Sequence, residues 1–214
     1  MAATLDECVV DLFWIPLGAG HHSVRFNGIA YEALTAVIHR RSRRDLYHSA
    51  LAIQLPEGRY MVEMTPVPDD RGDQRGVVSE GPVGLRSLGR LRLFRYEIRR
   101  WRNGIVPDLG DAVASPVRIT TDALVAQRVF DSVRAVPTPV WGRDELHAGE
   151  MWTCNSILSW VLTHAGVDPD AIALPPHGRA PGWDAGIAVA GRLHVEHQRR
   201  DPVKDGRWPV TVVP

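Results

Sequence analysis

The sequence predicts an α+β domain in which an antiparallel β-sheet packs against helices. Short alternating apolar runs joined by turn signals fill the first half, and two segments of the second half repeat apolar residues at helical spacing. The hydrophobic fraction, 44% of 214 residues, is enough to fill one core without disulfides. No internal repeat or low-complexity tract divides the chain, so residues 1–214 read as a single domain.

Val24-Arg25-Phe26 and Ile29-Ala30-Tyr31 flank Asn27-Gly28, a dipeptide suited to a type I′ turn, and predict a first hairpin. A charged connection, Arg40 to Arg44, leads to a second hairpin: Tyr47 to Leu55 and Arg59 to Thr65 around Pro56-Glu57-Gly58. Pro66 to Pro82, rich in Pro, Gly and Asp, reads as an exposed loop. Leu91 to Trp101 alternates as a further strand, whose arginines suggest a sheet edge or a wet face. Thr121-Asp122 can cap a helix running to about Arg134 with Leu124, Val125, Val129 and Val133 on one stripe. A second helix, about Thr153 to Ala165 with Gly166 as its stop, carries Cys154, Ile157, Leu158, Val161 and Leu162 on its apolar face. The Pro- and Gly-rich segment 175–214 is expected to wrap the domain without extending its core.

The 25 basic residues balance the 25 acidic ones, so no overall field draws the protein to nucleic acid or anionic lipid, and such a partner would need a local patch. No apolar run reaches the roughly 20 residues of a transmembrane helix. The start lacks signal-peptide features, and cytoplasmic location is the expectation. Cys8 and Cys154 are too few for a disulfide scaffold and suit a reducing compartment. His194, Glu196 and His197 lie too close together, with no distant partner, to form a zinc site. No metal or other cofactor is implied.

Cys154 opens the second helix, where backbone N–H groups stabilise a thiolate and can donate to a developing oxyanion. The same cysteine also suits a small buried core position. His48 begins a strand whose one face carries Tyr47, Leu51, Ile53 and Leu55, and the other His48, Ala50 and Ala52. The alanines leave room for a helix start to come within reach of the imidazole, and a Cys/His pair needs an approach of about 3 Å. Such a thiol is expected to have a lowered pKa and to alkylate at mildly acid pH. Glu63 is the charged candidate to orient His48, with Thr65 or a simple dyad as alternatives; a register that sets Ala52 opposite Glu63 puts it on the correct face but well along from His48. His22 is a weaker candidate base, because Val24 and Phe26 line its face. Trp152, Asn155 and Tyr47, next to the pair, are candidates for substrate contact.

Tyr47-His48-Ser49 opening a hairpin strand, followed about a hundred residues later by Cys154-Asn155-Ser156 opening a helix, resembles the circularly permuted papain-like proteins. These include the PPPDE-type isopeptidases, the lecithin:retinol acyltransferase-like enzymes and the permuted NlpC/P60 proteins. The resemblance covers about residues 45–165; Thr153 stands where an Asn commonly precedes the cysteine, and Ala50 where a glycine is frequent. It implies a permuted papain-like fold and a thiol hydrolase, peptidase, isopeptidase or amidase, working through an acyl-enzyme. A lipid acyltransferase and a non-catalytic binding domain on the same fold are the alternatives. The implied partner is a peptide, isopeptide or acyl-lipid substrate; nothing in the sequence indicates an oligomeric state.

Overall fold

A computed structural model describes residues 8–17, 45–67 and 76–200, the side chains of Pro107 and of 194–200 excepted. Its seven strands are β1 (Val9–Pro16), β2 (Asp45–Leu55), β3 (Gly58–Pro66), β4 (Val77–Pro82), β5 (Arg95–Arg102), β6 (Val113–Thr120) and β7 (Gly178–Arg179). Among the described residues the α-helices are α1 (Ala123–Ser132), α2 (Cys154–His164) and α3 (Trp183–Arg200). The sheet order is β4-β5-β3-β2-β1-β6, antiparallel throughout, and β7 adds a short parallel pairing to the start of β2. The α+β class read from the sequence is the class observed.

Alternation along the central strands gives the sheet two different faces. Leu12 and Trp14 of β1, Leu51 and Ile53 of β2, and Ile98 of β5 share the main core with Ile157, Leu158, Val161 and Leu162 of α2. Ile15, Ala50, Ala52 and Met61 face the other way, into a small second core completed by Val106, with Leu109 and Ala112 against it. The alanine stripe of β2 is therefore roofed by the segment around a 3-10 turn, Pro107–Asp111, and α2 packs on the opposite, bulkier face.

The helices are fixed by local chemistry. Asp122 caps α1 by accepting from the Val125 N–H at 2.8 Å. Ala126 and Val129 face the core, whereas Leu124, expected on the inner stripe, is 72% exposed. Its position in the first turn precedes the point where α1 settles on the sheet. Thr153 and Ser156 form a capping box at the start of α2. Gly166, at φ +87°, ends it in a Schellman turn, with the Val167 N–H donating to the Leu162 carbonyl at 3.0 Å.

Three expectations are corrected. The loop expected over 66–82 is shorter, because β4 forms from Val77 and pairs with β5. The arginine-rich strand begins at Arg95, and it lies between β4 and β3, off the sheet edge. Its charges are accommodated locally: Arg99 pairs with buried Glu97 at 2.9 Å, and Arg100 stacks 3.7 Å over the Phe130 ring. The C-terminal segment does extend the core, because α3 buries Trp183, Ala185, Val189 and Ala190, and Trp183 packs against Trp14 with ring centroids 4.9 Å apart and planes tilted by 59°. The Asn27-Gly28 hairpin, His22 and the Arg40–Arg44 connection lie outside the described residues.

The crossing of α2 and α3 is close because the contact is made of small side chains. A Cβ at Gly186 would collide with the Ser156 carbonyl, Ser159 Oγ and the Trp160 N–H. Gly186→Ala should therefore destabilise the fold, although alanine favours helices elsewhere. In urea melts Leu158→Ala or Leu162→Ala should cost about 2 to 5 kcal/mol, while Leu124→Ala should change stability by less than about 0.5 kcal/mol.

Candidate active site

β2 pairs with β3 only over part of its length. Around the two-residue turn Pro56-Glu57 the register runs from Leu55↔Gly58 to Leu51↔Val62. Beyond it, β2 continues along β1 as far as Tyr47↔Pro16, and β3 continues along β5 through Glu63↔Arg99. The sheet is thus split between residues 45–50 of β2 and 63–66 of β3. In an antiparallel ladder the N–H groups of residues two apart point the same way, so the Ser49 N–H, like that of Leu51, is directed toward this split. The N-terminus of α2 lies against this stretch of β2, where Asn155, the residue after Cys154, is bonded to Tyr47 and Ser49.

Asn155 holds the helix start there. Its Nδ2 donates to the Tyr47 and Pro181 carbonyls, each at 3.0 Å, and its Oδ1 accepts from Ser49 Oγ at 2.9 Å. Thr153 Oγ1 donates to the Pro181 carbonyl, Ser156 Oγ to the Gly182 carbonyl and Ser159 Oγ to the Trp183 carbonyl, each at 2.7 Å. One side of α2 is therefore sewn to the segment that begins α3.

His48, adjacent to Ser49, points to the alanine side of the sheet by strand alternation. Burial lowers its pKa, opposed by the negative charge of Asp108 in the covering 3-10 turn. Glu63 stands opposite Arg99, and its carboxyl is pushed up to about 7 by burial, against the pull of Arg99 and with a push from Asp108. Cys154 is partly buried, and desolvation pushes its thiol up to about 11 despite the N–H groups of Ser49, Asn155 and Cys154; the nearby Glu63 charge adds to the rise. Burial thus disfavours the charged form of both the thiol and the imidazole. The lowered thiol pKa expected from the helix N-terminus is overturned, because removal from water outweighs three backbone donors.

Asn155 sets Cys154 beside the Tyr47–Ser49 stretch that contains His48, and the Asp108 charge acts on both His48 and Glu63. The hairpin register is two residues tighter than expected: Ala52 faces Met61, and the pairing ends at Leu51↔Val62, so Glu63 is paired with Arg99 of β5 and not with β2. Thr65 faces Glu97. Trp152, Asn155 and Tyr47, expected to meet substrate, are 2%, 2% and 6% exposed, so they lie beneath the cysteine as support. Trp152 belongs to the main core, and its backbone pairs with Gly142 and Arg143. Asp108 escaped the sequence reading, since its only signal is a Pro-Asp turn start and its closeness to His48 comes from tertiary docking. Among the described residues no group of three His, Cys, Asp or Glu could hold a metal ion. No family model, curated protein or solved structure matches the chain.

Two measurements probe this arrangement. Asn155→Leu keeps the volume but strands the Tyr47 carbonyl and the Ser49 hydroxyl, and should cost about 3 kcal/mol in denaturant melts. Glu63 titrates near 7 in the fold and near 4.5 unfolded, so the folded state holds this proton longer. Its contribution to stability is complete below pH about 4.5 and is lost as pH rises through about 7. Glu63→Gln should melt with the wild type at pH 4.5 and above it at pH 8.

Proposed function

We propose that the protein is a thiol hydrolase of permuted papain-like type, a peptidase, isopeptidase or amidase, with Cys154 as nucleophile and His48 as general base. The observation that carries the reading is the anchorage of the helix start beside His48: Asn155, next to Cys154, is hydrogen-bonded to the Tyr47 carbonyl and to Ser49 Oγ, the residues on either side of His48. The two free cysteines suit a reducing compartment such as the cytoplasm.

The chemistry follows from two neutral partners. His48, kept uncharged by burial, takes the thiol proton as the sulfur attacks the substrate carbonyl: a C–S bond forms and the carbonyl π pair moves to oxygen. The backbone N–H groups of Ser49 and Cys154, which favour negative charge on the sulfur at rest, turn to that oxyanion as the C–S bond neutralises the sulfur. The Asp108 charge favours the imidazolium that forms. On collapse the leaving nitrogen receives the proton from His48, and water attacks the thioester with His48 again as base. Glu63 serves as a second carboxyl that influences sulfur and imidazole cover together.

One observation favours a second reading, a non-catalytic binding domain: a thiol pushed up to about 11 is unreactive at rest. A small activated ester separates the two. With p-nitrophenyl acetate, peptide mass spectrometry should find acetyl on Cys154 and not on buried Cys8, and acylation should speed up as pH rises. His48→Ala should slow acylation by about 100-fold or more without changing the melting temperature. Absence of any Cys154 adduct, or a rate indifferent to His48→Ala, establishes the binding-domain reading.

A further inference from the structure

Arg86, Arg95, Arg99, Arg118 and Arg179 each pair with a carboxylate. Among the described residues Arg100, Arg102 and Arg134 form no such pair, although the fold gathers them at one end of the sheet. β5 sets Arg100 opposite Val62 and Arg102 opposite Tyr60, so both arginines lie on the face of β3 that carries Tyr60, about 7 Å apart along the strand.

Half-buried Arg100 is fixed from two sides. Its guanidinium lies 3.7 Å over the Phe130 ring, and its Nη1 donates to the Phe130 carbonyl at 2.5 Å. Tyr60 meets the same ring edge-on, with centroids 4.7 Å apart. Arg102 lies across Gly58, where a Cβ would come within 2.6 Å of its Nε. Arg134, exposed in the 3-10 turn Val133–Ala135 that continues α1, brings a second positive charge to Arg100. Burial and that charge lower the Arg100 pKa, against the pull of Asp131 and Tyr60.

The end of α1 accounts for cations nearby, but its partial charge is only about half a unit. Asp131, whose carboxylate accepts from Gln127 at 3.0 Å, offsets one unit more, which leaves part of the three guanidinium charges uncompensated. The groups offered are the second Nη of Arg100, the Arg134 fork and the Tyr60 hydroxyl, from three different elements. A tetrahedral oxyanion with several acceptor oxygens suits such a set, whereas a single carboxylate fills only one fork.

We propose that Arg100, Arg134 and the Tyr60 hydroxyl, with Arg102 beside them, bind a phosphate dianion at the end of α1. Binding here is independent of any chemistry at Cys154.

Titration of the whole chain with inorganic phosphate, at an ionic strength held constant with sodium chloride, tests it through the arginine Nε–Hε signals in NMR spectra. The Arg100 signal should shift saturably. Arg134→Gln, an exposed change that should leave the melting temperature in chloride unaltered, should weaken binding by about tenfold, and Tyr60→Phe, which keeps the ring on Phe130, by about fivefold. Arg90→Gln, in the β4–β5 connection, should leave binding unchanged. A parallel titration with phenyl phosphate distinguishes the source: tighter binding than inorganic phosphate assigns the site to a phosphate carried on an organic group, and equal or weaker binding assigns it to the free ion. No saturable shift, equal binding by Arg134→Gln, or an equal loss in Arg90→Gln overturns the proposal.

Discussion

The amide of Asn155 is buried where three parts of the chain meet, and its donors and acceptor are all engaged by groups from elsewhere in the sequence. A buried polar side chain tolerates few alternative settings, because each lost partner leaves a desolvated group behind. The start of α2 is consequently fixed against the Tyr47–Ser49 backbone and against Pro181 at once. The close crossing of α2 and α3 follows, since serines at 156 and 159 bond to the carbonyls of Gly182 and Trp183 only if the helices approach at glycine distance.

That same anchorage decides the electrostatics. A helix drawn into a split sheet carries its first sulfur out of water, and the roof of Val106, Leu109 and Ala112 limits the hydration of the histidine face. Helix N-termini stabilise a thiolate only in so far as their donors outweigh the lost hydration, and here they do not. Under the proposed function a proton leaves the thiol only as the bond forms, in contrast to a preformed thiolate–imidazolium ion pair. The cover bearing Asp108 thus belongs to the site as much as either strand does.

Much of the frame was legible because its signals are local. Pro56-Glu57-Gly58 between apolar alternations declared the β2–β3 hairpin, and Thr153 with Gly166 bracketed α2. The register was missed by two residues because a turn motif does not reveal which of its residues resume pairing. α3 was hidden by Gly182, Gly186 and Gly191 and the prolines before it; Gly186 is there because the neighbouring helix leaves no space for a Cβ, a requirement no local rule contains. The start of α2 was expected over the alanine face of β2, within reach of His48, but α2 packs on the opposite face. Alanines at 50 and 52 signal close approach without saying by what, and the occupant proved to be residues 106–112. Asp108 and the buried roles of Trp152 and Tyr47 depend on such distant docking and have no local signature.

The order of synthesis gives the Asn155 anchorage a further meaning. A chain emerging from the ribosome exposes β2 first and Cys154 about a hundred residues later, yet the carbonyls of Pro181, Gly182 and Trp183 that fasten α2 come last of all. Domains generally fold as units, and contacts this distant in sequence close late. A nascent or prematurely terminated chain can contain both the cysteine and the histidine and still lack the groups that hold them in register. The bonds that fasten α2 to the start of α3 are thus the last of this network to be made.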